Sequence, residues 1–220
     1  DKWMFSRLNS LVKKMTEELE NLHPHLAIRE LQNFWLNDFS RGYIQFVRER
    51  LSAEDKEAKF VVNEVYLSLL ELLAPFCPFI TESVWQELRK KAIVKEESVH
   101  LRKWPISAPK KIDKTLEKRM ENTLKIIEMG LAERDKVKIG LRWPLAKATI
   151  YVKGIENYEI LEDIIKNQLN VKKVEFKHSR DKGTELAVEL DITQTTELES
   201  EGYARETSRI VQDFRKKLGL

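Results

Sequence analysis

The most constraining feature of this sequence is an apolar stretch with two prolines, LSLLELLAPFCPFITESVWQEL at residues 67–88. A proline ring inside a helix removes a backbone donor and clashes with the preceding turn. Pro75 and Pro78 therefore predict that one buried helix ends near Ala74 and that another begins at Thr81, a suitable N-cap. We expect other helices to cover the corner between them, because it would otherwise be an exposed apolar patch. Its apolar residues are Phe76, Cys77, Phe79 and Ile80.

Apolar residues recur every three or four positions through most of the first half of the chain, which is typical of helices buried on one face. The pattern predicts helices over residues 3–21, 27–51, 53–74 and 81–91. Pro24 separates the first two, Gly42 weakens the second without ending it, and Ser52 is a suitable cap for the third. Helices with connections this short predict a bundle.

The chain changes character after Ala92. We expect an extended segment at 96–108, anchored by Trp104 and Pro105, and then a helix with apolar positions from Leu116 to Leu131. From Arg102 to Lys125 the sequence has eight basic residues and three acidic ones. The local positive charge is therefore larger than the net charge of +3 on the whole chain.

The last third of the sequence alternates strand and helix patterns. Strands are predicted at 148–152, 171–178 and 186–190, with a turn at 181–183 before the third. A helix is predicted over 157–169, and a final one after a cap at Thr195 or Thr196. The predicted fold class is mainly α: a helical bundle with a basic connecting helix at 1–139, followed by a small α+β domain at 140–220.

Composition narrows the classes of protein that are possible. A hydrophobic share of 42% with 34% charged residues is typical of a soluble globular protein. The single cysteine excludes an internal disulfide and favours a reducing, cytoplasmic compartment. We find neither an apolar run long enough for a membrane span nor a signal-peptide pattern.

Catalytic and metal-binding patterns are missing from the sequence. The 7 glycines form no phosphate-binding loop. Cys77 lies among prolines and phenylalanines, so we interpret it as a buried apolar thiol rather than a nucleophile. His23 and His25 lack the paired spacing of zinc ligands. The sequence therefore predicts no catalytic residue, no metal and no cofactor in this chain.

Basic residues that alternate with large rings are the positive functional signal, and unpaired nucleic acid binds such sets because phosphates pair with cations while bases stack on rings. Two interpretations stay open for the tryptophans, which either contact nucleic acid or anchor extended segments to the bundle. The signal comprises Arg41, Tyr43, Arg48, Arg50, Arg102, Lys103, Trp104, Arg142 and Trp143.

Four stretches then identify a resemblance to a known family: DKWMFSRLNSLVKKMTEELEN, NFWLNDFSRGYIQFVRERL, LLAPFCPFITESVWQEL and SVHLRKWP. In this order they resemble the helical anticodon-binding domain of the class I aminoacyl-tRNA synthetases for isoleucine, valine and leucine. Three later stretches, ERDKVKIGLRWPLAKATIYV, LNVKKVEF and ELESEGYARETSRIVQDFRKKLGL, are similar to the C-terminal region of the isoleucine branch, especially its archaeal and eukaryotic type.

The resemblance implies that the chain is a piece of an aminoacyl-tRNA ligase that binds the anticodon stem and loop of a tRNA, and isoleucine tRNA is the expected partner. A monomer is the default expectation for its oligomeric state. The family's ATP-binding signatures are absent here, so ATP and Mg²⁺ are expected only in a catalytic domain outside this sequence. The valine or leucine enzyme, and a helical protein-interaction module, are the alternatives. The expected phosphate contacts are Arg41, Arg48, Arg50, Lys103, Lys110 and Lys111, and the expected base contacts are Trp104, Arg142 and Trp143.

Overall fold

The computed structural model describes residues 1–153, 161–178 and 186–219. The chain divides into two compact units, residues 1–118 and residues 119–220. The boundary between them falls inside one helix, Lys114–Lys136. The division into functional domains after residue 139 stays a prediction.

The first unit is a helical bundle, as the apolar spacing predicts. Helix α1 buries one apolar face, and α2 and α5 pack against it. The buried face of α1 contains Met4, Leu8, Leu11, Val12 and Met15. The elements are α1 (Lys2–Glu20), α2 (Pro24–Asn33), a π-helix (Phe34–Tyr43), α3 (Ile44–Phe46), α4 (Arg48–Ser52), α5 (Lys56–Leu73), α6 (Pro78–Lys90), two 3-10 turns (Val99–Leu101 and Pro109–Lys111) and the start of α7 (Lys114–Lys136).

The second predicted helix is not uniform in its winding, and Val47 interrupts it between α3 and α4. Between α2 and α3 the backbone widens into a ten-residue π-helix. A Cβ atom at Gly42 would lie 2.9 Å from the backbone oxygen of Asn37, so only glycine fits this turn without a shift. The glycine that the sequence suggested as a weak point is thus a packing requirement of the widened turn.

Helix α5 begins later than predicted. Ser52 is the last residue of α4, and the cap of α5 is Asp55, whose carboxylate accepts hydrogen bonds from the backbone nitrogens of Glu57 at 2.8 Å and Ala58 at 3.2 Å. A carboxylate at this position satisfies two free N–H groups and also lies at the positive end of the helix dipole.

Helix α6 begins three residues before the predicted cap. Pro78 occupies the first turn, where a helix needs no N–H donor, and Cys77 precedes it. Thr81 is therefore inside the helix, where it is buried and its hydroxyl donates to the carbonyl of Cys77 at 2.9 Å. The interpretation of Thr81 as the cap is wrong.

The earlier start of α6 also exposes the corner that we expected to be covered. Thr81 and Trp85, one turn apart, face the core, and the Trp85 indole donates to the carbonyl of Glu96 at 3.0 Å. Phe79 and Ile80 lie on the opposite side of the first turn and are 91% and 62% exposed. Cys77 is exposed as well, so the expectation of a buried thiol is corrected.

The second unit contains a three-stranded sheet with strand order β2-β1-β3. Its strands are β1 (Leu145–Val152), β2 (Val171–His178) and β3 (Leu186–Asp191), and its remaining helices are α8 (Glu162–Leu169) and α9 (Thr196–Lys217). Strand β1 runs parallel to β2 and antiparallel to β3. The Thr195 cap of α9 is confirmed, while the predicted turn at 181–183 and the first residues of the helix predicted at 157–169 lie outside the described residues.

A buried arginine joins the pieces of this unit. The Arg134 guanidinium on α7 is 2% exposed and donates to the carbonyls of Leu169 at 2.9 Å, Asn170 at 3.0 Å, Trp143 at 3.0 Å and Gly140 at 3.3 Å. Burial lowers its pKa to about 10, which leaves it charged at neutral pH. Arg134 therefore ties the turn before β1 to the end of α8 through backbone acceptors.

The Trp143 ring packs against α9 where that helix has no side chain. A Cβ atom at Gly202 would lie 2.3 Å from the Trp143 Cε3 atom, and the Tyr203 ring meets Trp143 edge-on at a centroid distance of 5.1 Å. Residue 202 must therefore be glycine if the tryptophan is to keep this position.

We expect Gly202→Ala to destabilise the chain by about 1–3 kcal/mol, because the added methyl group overpacks a rigid ring. Gly140→Ala is the control, since its Cβ would find its nearest neighbour only at 4.0 Å. The measurement is the free energy of unfolding in urea. An equal effect of the two substitutions would contradict the packing described here.

Candidate nucleic-acid interface

An extended segment between α6 and α7 lies along α1 and presents several of the predicted cations. The Trp104 indole donates to the Thr16 hydroxyl at 2.9 Å. The Ser107 hydroxyl donates to the Asn9 carbonyl at 2.9 Å, and the Asn9 side-chain oxygen accepts from the backbone nitrogen of Ala108 at 2.7 Å. Trp104 thus anchors the segment, which is one of the two interpretations that the sequence left open for it.

A buried carboxylate attaches the end of this segment to α1. Glu117 Oε1 accepts hydrogen bonds from the hydroxyls of Ser6 at 2.7 Å and Ser10 at 2.6 Å, and Oε2 accepts from Lys114 at 2.9 Å. Arg7 lies 3.5 Å from the same Oε2 atom and makes two shorter bonds to Asp38, at 2.7 and 3.0 Å. The start of α7 is therefore held to α1 by charged groups that pair with one another.

Burial acts on the two carboxylates of this network with different results. Desolvation outweighs the attraction of Arg7 and raises the pKa of Asp38. Desolvation also acts to raise the pKa of Glu117, but the hydrogen bonds from Ser10, Ser6 and Lys114 outweigh it, so the pKa of Glu117 is lowered. Glu117 is thus stabilised as an anion in the folded chain.

Lys103 and Trp104 line one side of an open cavity of about 230 Å³. The rest of its wall combines apolar and polar groups: Glu71, Ala74, Pro75, Val99, His100 and Arg102. Arg102 is engaged there by Glu71 at 2.7 Å and Glu96 at 2.5 Å. Lys103 is exposed, and the described part of the chain gives it no carboxylate partner. This cavity, called the Trp104 cavity below, thus pairs an available cation with an aromatic wall.

Lys110 and Lys111 lie on the second 3-10 turn, and both are exposed. The ammonium of Lys111 lies 5.5 Å from the centroid of the Phe5 ring, within the range of a cation–π contact. The turn holds Lys111 close to α1 while its charge still faces solvent.

The three predicted arginines of the second helix lie in different surroundings. Arg41, on the π-helix, and Arg48, on α4, are exposed. Arg50 forms ion pairs with Asp1 at 2.9 Å and with Asp55, the cap of α5, at 2.7 Å. Two of the three are thus accessible to a ligand, while Arg50 also has a structural contact.

The predicted pair in the second unit is engaged with α9. Arg142 is half exposed and lies 3.5 Å from Glu206, and Trp143 packs on Gly202 as described above. Both side chains belong to the turn that Arg134 holds. Their role in binding stays a prediction.

The sequence reasoning missed a set of lysines that the structure brings together. Lys13 and Lys14 of α1 and Lys114 of α7 line a second cavity, of about 450 Å³. The sequence did contain a signal: Lys13 and Lys14 follow directly after Val12, at the edge of the buried face of α1. Their proximity to Lys114, a hundred residues away, depends on the tertiary fold and is not visible in the spacing.

Two further observations concern membrane spans and metal ligands. Within the described ranges, no helix is both long and apolar enough to cross a membrane. Across the same ranges, histidine, cysteine and acidic side chains do not gather in the groups of three or more that hold a metal ion.

Comparison with known proteins gives a consistent assignment. The family model described as the anticodon-binding domain of tRNA ligase matches residues 1–150. Isoleucine–tRNA ligases from Thermococcus kodakarensis and Clostridium acetobutylicum are each 37% identical over 182 residues, which are 79% and 80% of this chain. That from Methanopyrus kandleri is 37% identical over 181 residues. The chain spans 17% of the length of each of these relatives.

The lowered pKa of Glu117 predicts a pH dependence of stability. A carboxylate whose pKa is lower in the folded than in the unfolded chain stabilises the fold above its unfolded pKa, and this contribution is lost as the pH falls through the folded pKa. We expect Glu117→Gln to reduce the free energy of unfolding at pH 7 by about 1–3 kcal/mol and to reduce its loss in acid. Urea unfolding at pH 7, 5 and 3 is the measurement.

The matched control for this experiment is Glu64→Gln, at an exposed position on α5. We expect it to change the free energy of unfolding by less than about 0.5 kcal/mol. If the two variants followed the same pH curve, the Glu117 network would contribute nothing beyond a surface charge.

Proposed function

Since this chain belongs to the family of anticodon-binding domains of tRNA ligases, we propose that it binds the anticodon stem and loop of a tRNA. The proposed partner is an isoleucine-accepting tRNA, because the relatives named above are isoleucine–tRNA ligases. Most of the proposed contacts lie on the first unit, residues 1–118, and the turn that carries Arg142 and Trp143 belongs to the second unit.

The observation that carries this proposal is the Trp104 cavity. It combines Lys103, an exposed cation, with the partly exposed side chain of Trp104 and the apolar surface of Pro75. An unpaired nucleotide has a flat base and an anionic phosphate, and it therefore matches both kinds of surface. Trp104 keeps its ring in place through its bond to Thr16, so a base would meet a wall that is already ordered.

The remaining cations extend this chemistry along the segment. Two exposed lysines, Lys110 and Lys111, follow Trp104 in the chain and precede α7. Two exposed arginines, Arg41 and Arg48, lie on the helices after α2. Contacts from such side chains to phosphates fix the position of an RNA without reading its sequence. Base readout is proposed for the Trp104 cavity and for the turn that carries Arg142 and Trp143.

The chain spans only 17% of its relatives, so the activity of the whole enzyme is part of the proposal. We propose that it acts within an isoleucine–tRNA ligase, where anticodon binding orients the tRNA while a catalytic domain outside this sequence uses ATP to attach isoleucine. The residues of this chain would supply affinity and orientation, and none of them is assigned a catalytic step.

Binding to unmodified tRNA transcripts for isoleucine, valine and leucine tests this proposal. We expect measurable affinity that falls steeply from about 50 to 200 mM salt, with isoleucine tRNA bound most tightly. Lys103→Gln should weaken binding to all three and reduce the slope of log affinity against log salt by about one. Lys56→Gln, at an exposed position on α5, is the control and should leave the slope unchanged.

Two outcomes would contradict different parts of the proposal. Equal affinity for the three transcripts would remove the preference for isoleucine tRNA but keep RNA binding. No binding of any transcript at the lowest salt concentration would favour the alternative of a helical protein-interaction module.

A further inference from the structure

The second cavity, of about 450 Å³, has a chemistry that the assignment above does not use. It lies beside α1 and the second 3-10 turn, and we call it the lysine cavity. Three lysines line it, and Glu17 is the one acidic residue among its lining residues. The residues that line it are Ser10, Lys13, Lys14, Glu17, Pro109, Ile112 and Lys114.

Lys114 is held in a fixed position at this cavity. Its ammonium donates to the Ser10 hydroxyl and to Glu117 Oε2, both at 2.9 Å, yet the side chain stays 71% exposed. An ammonium group has three hydrogens, so one donor remains for a ligand. Arg7 also lies 3.5 Å from Glu117, but its shorter bonds go to Asp38, so Lys114 is the cation of this network that faces the cavity.

The two lysines of α1 differ in how firmly they are paired. Lys13 Nζ lies 3.8 Å from Glu17, which is longer than a hydrogen bond, so its donors stay available. Lys14 donates to Glu18 at 2.6 Å, and this bond raises its pKa, so it keeps its charge at neutral pH. An incoming anion would therefore meet Lys13 and Lys114 first, with Lys14 adding positive charge at one side.

We propose that the lysine cavity is a phosphate subsite that takes a phosphodiester group of the RNA backbone. This inference rests on the proposed function and assigns a second place of contact to the same RNA. A polyanion fits better than a single anion because exposed Lys110 and Lys111 continue from Pro109, on the wall of the cavity. The segment from Trp104 to Pro109 connects the two cavities and is attached to α1 through Trp104 and Ser107. One RNA strand that follows this segment would therefore have contacts at both of its ends.

The test is the salt dependence of tRNA binding by Lys13→Gln and Lys114→Gln. Each variant should reduce the slope of log affinity against log salt by about one, because one phosphate is no longer neutralised. At a fixed salt concentration we expect a loss of affinity of about two- to fivefold for each, the size expected of an exposed ion contact. The loss should be similar for isoleucine, valine and leucine tRNA, since phosphates carry no sequence information.

Lys90→Gln is the matched control. Like Lys114, Lys90 is 71% exposed and pairs with a glutamate three positions away, Glu87, but it lies on α6 and does not line the cavity. Lys114→Gln also removes the hydrogen bond to Glu117, which could destabilise the fold. The melting temperature of this variant is therefore measured together with its affinity for tRNA. Lys13→Gln breaks no hydrogen bond and shows the effect of charge alone.

The outcomes separate this inference from the proposed function. Wild-type binding with a slope that drops for Lys13→Gln and Lys114→Gln, but not for Lys90→Gln, supports the phosphate subsite. Wild-type binding with unchanged slopes in both cavity variants overturns the subsite and leaves RNA binding intact. An equal drop in all three variants also overturns it, because the effect would then come from overall charge. No wild-type binding would overturn both proposals.

Discussion

The buried carboxylate of Glu117 is the contact on which the arrangement of the first unit most depends. It joins residues more than a hundred positions apart, because Ser6 and Ser10 lie on α1 while Glu117 opens α7. A buried charge is costly unless hydrogen bonds and opposite charges surround it, and here two hydroxyls, Lys114 and Arg7 do so. This connection fixes the end of the segment before α7, whose earlier part is attached to α1 through Thr16 and Asn9, and both cavities are lined by that segment.

Much of the fold follows from local pattern. Helix periodicity predicts α1, the stretch from α2 to α4, α5 and α6, and alternation predicts the strands, because side-chain direction repeats with fixed periods. The predictions were wrong at the starts of α5 and α6, where a single residue determines the first position of the helix. Asp55 replaced Ser52 as a cap, and Pro78 began α6 ahead of Thr81, so Phe79 and Cys77 became exposed.

For the candidate site, the sequence predicted the types of residue but not their contacts. The sequence identified the basic segment and Trp104 because cations and rings are adjacent there. It could not show that Arg50 pairs with Asp55, or that Trp143 packs on Gly202, since these contacts depend on tertiary packing. For the same reason it did not connect Lys13 with Lys114, which only the fold brings to one cavity.

The exposed corner at the start of α6 has a practical consequence. Cys77 is the single thiol of the chain and is accessible to solvent, next to the exposed ring of Phe79. A thiol-reactive fluorophore would therefore attach at one known position, without any engineered cysteine. The molecule carries its own site for single-point labelling, from which distances to a dye-labelled RNA can be measured in the unaltered sequence.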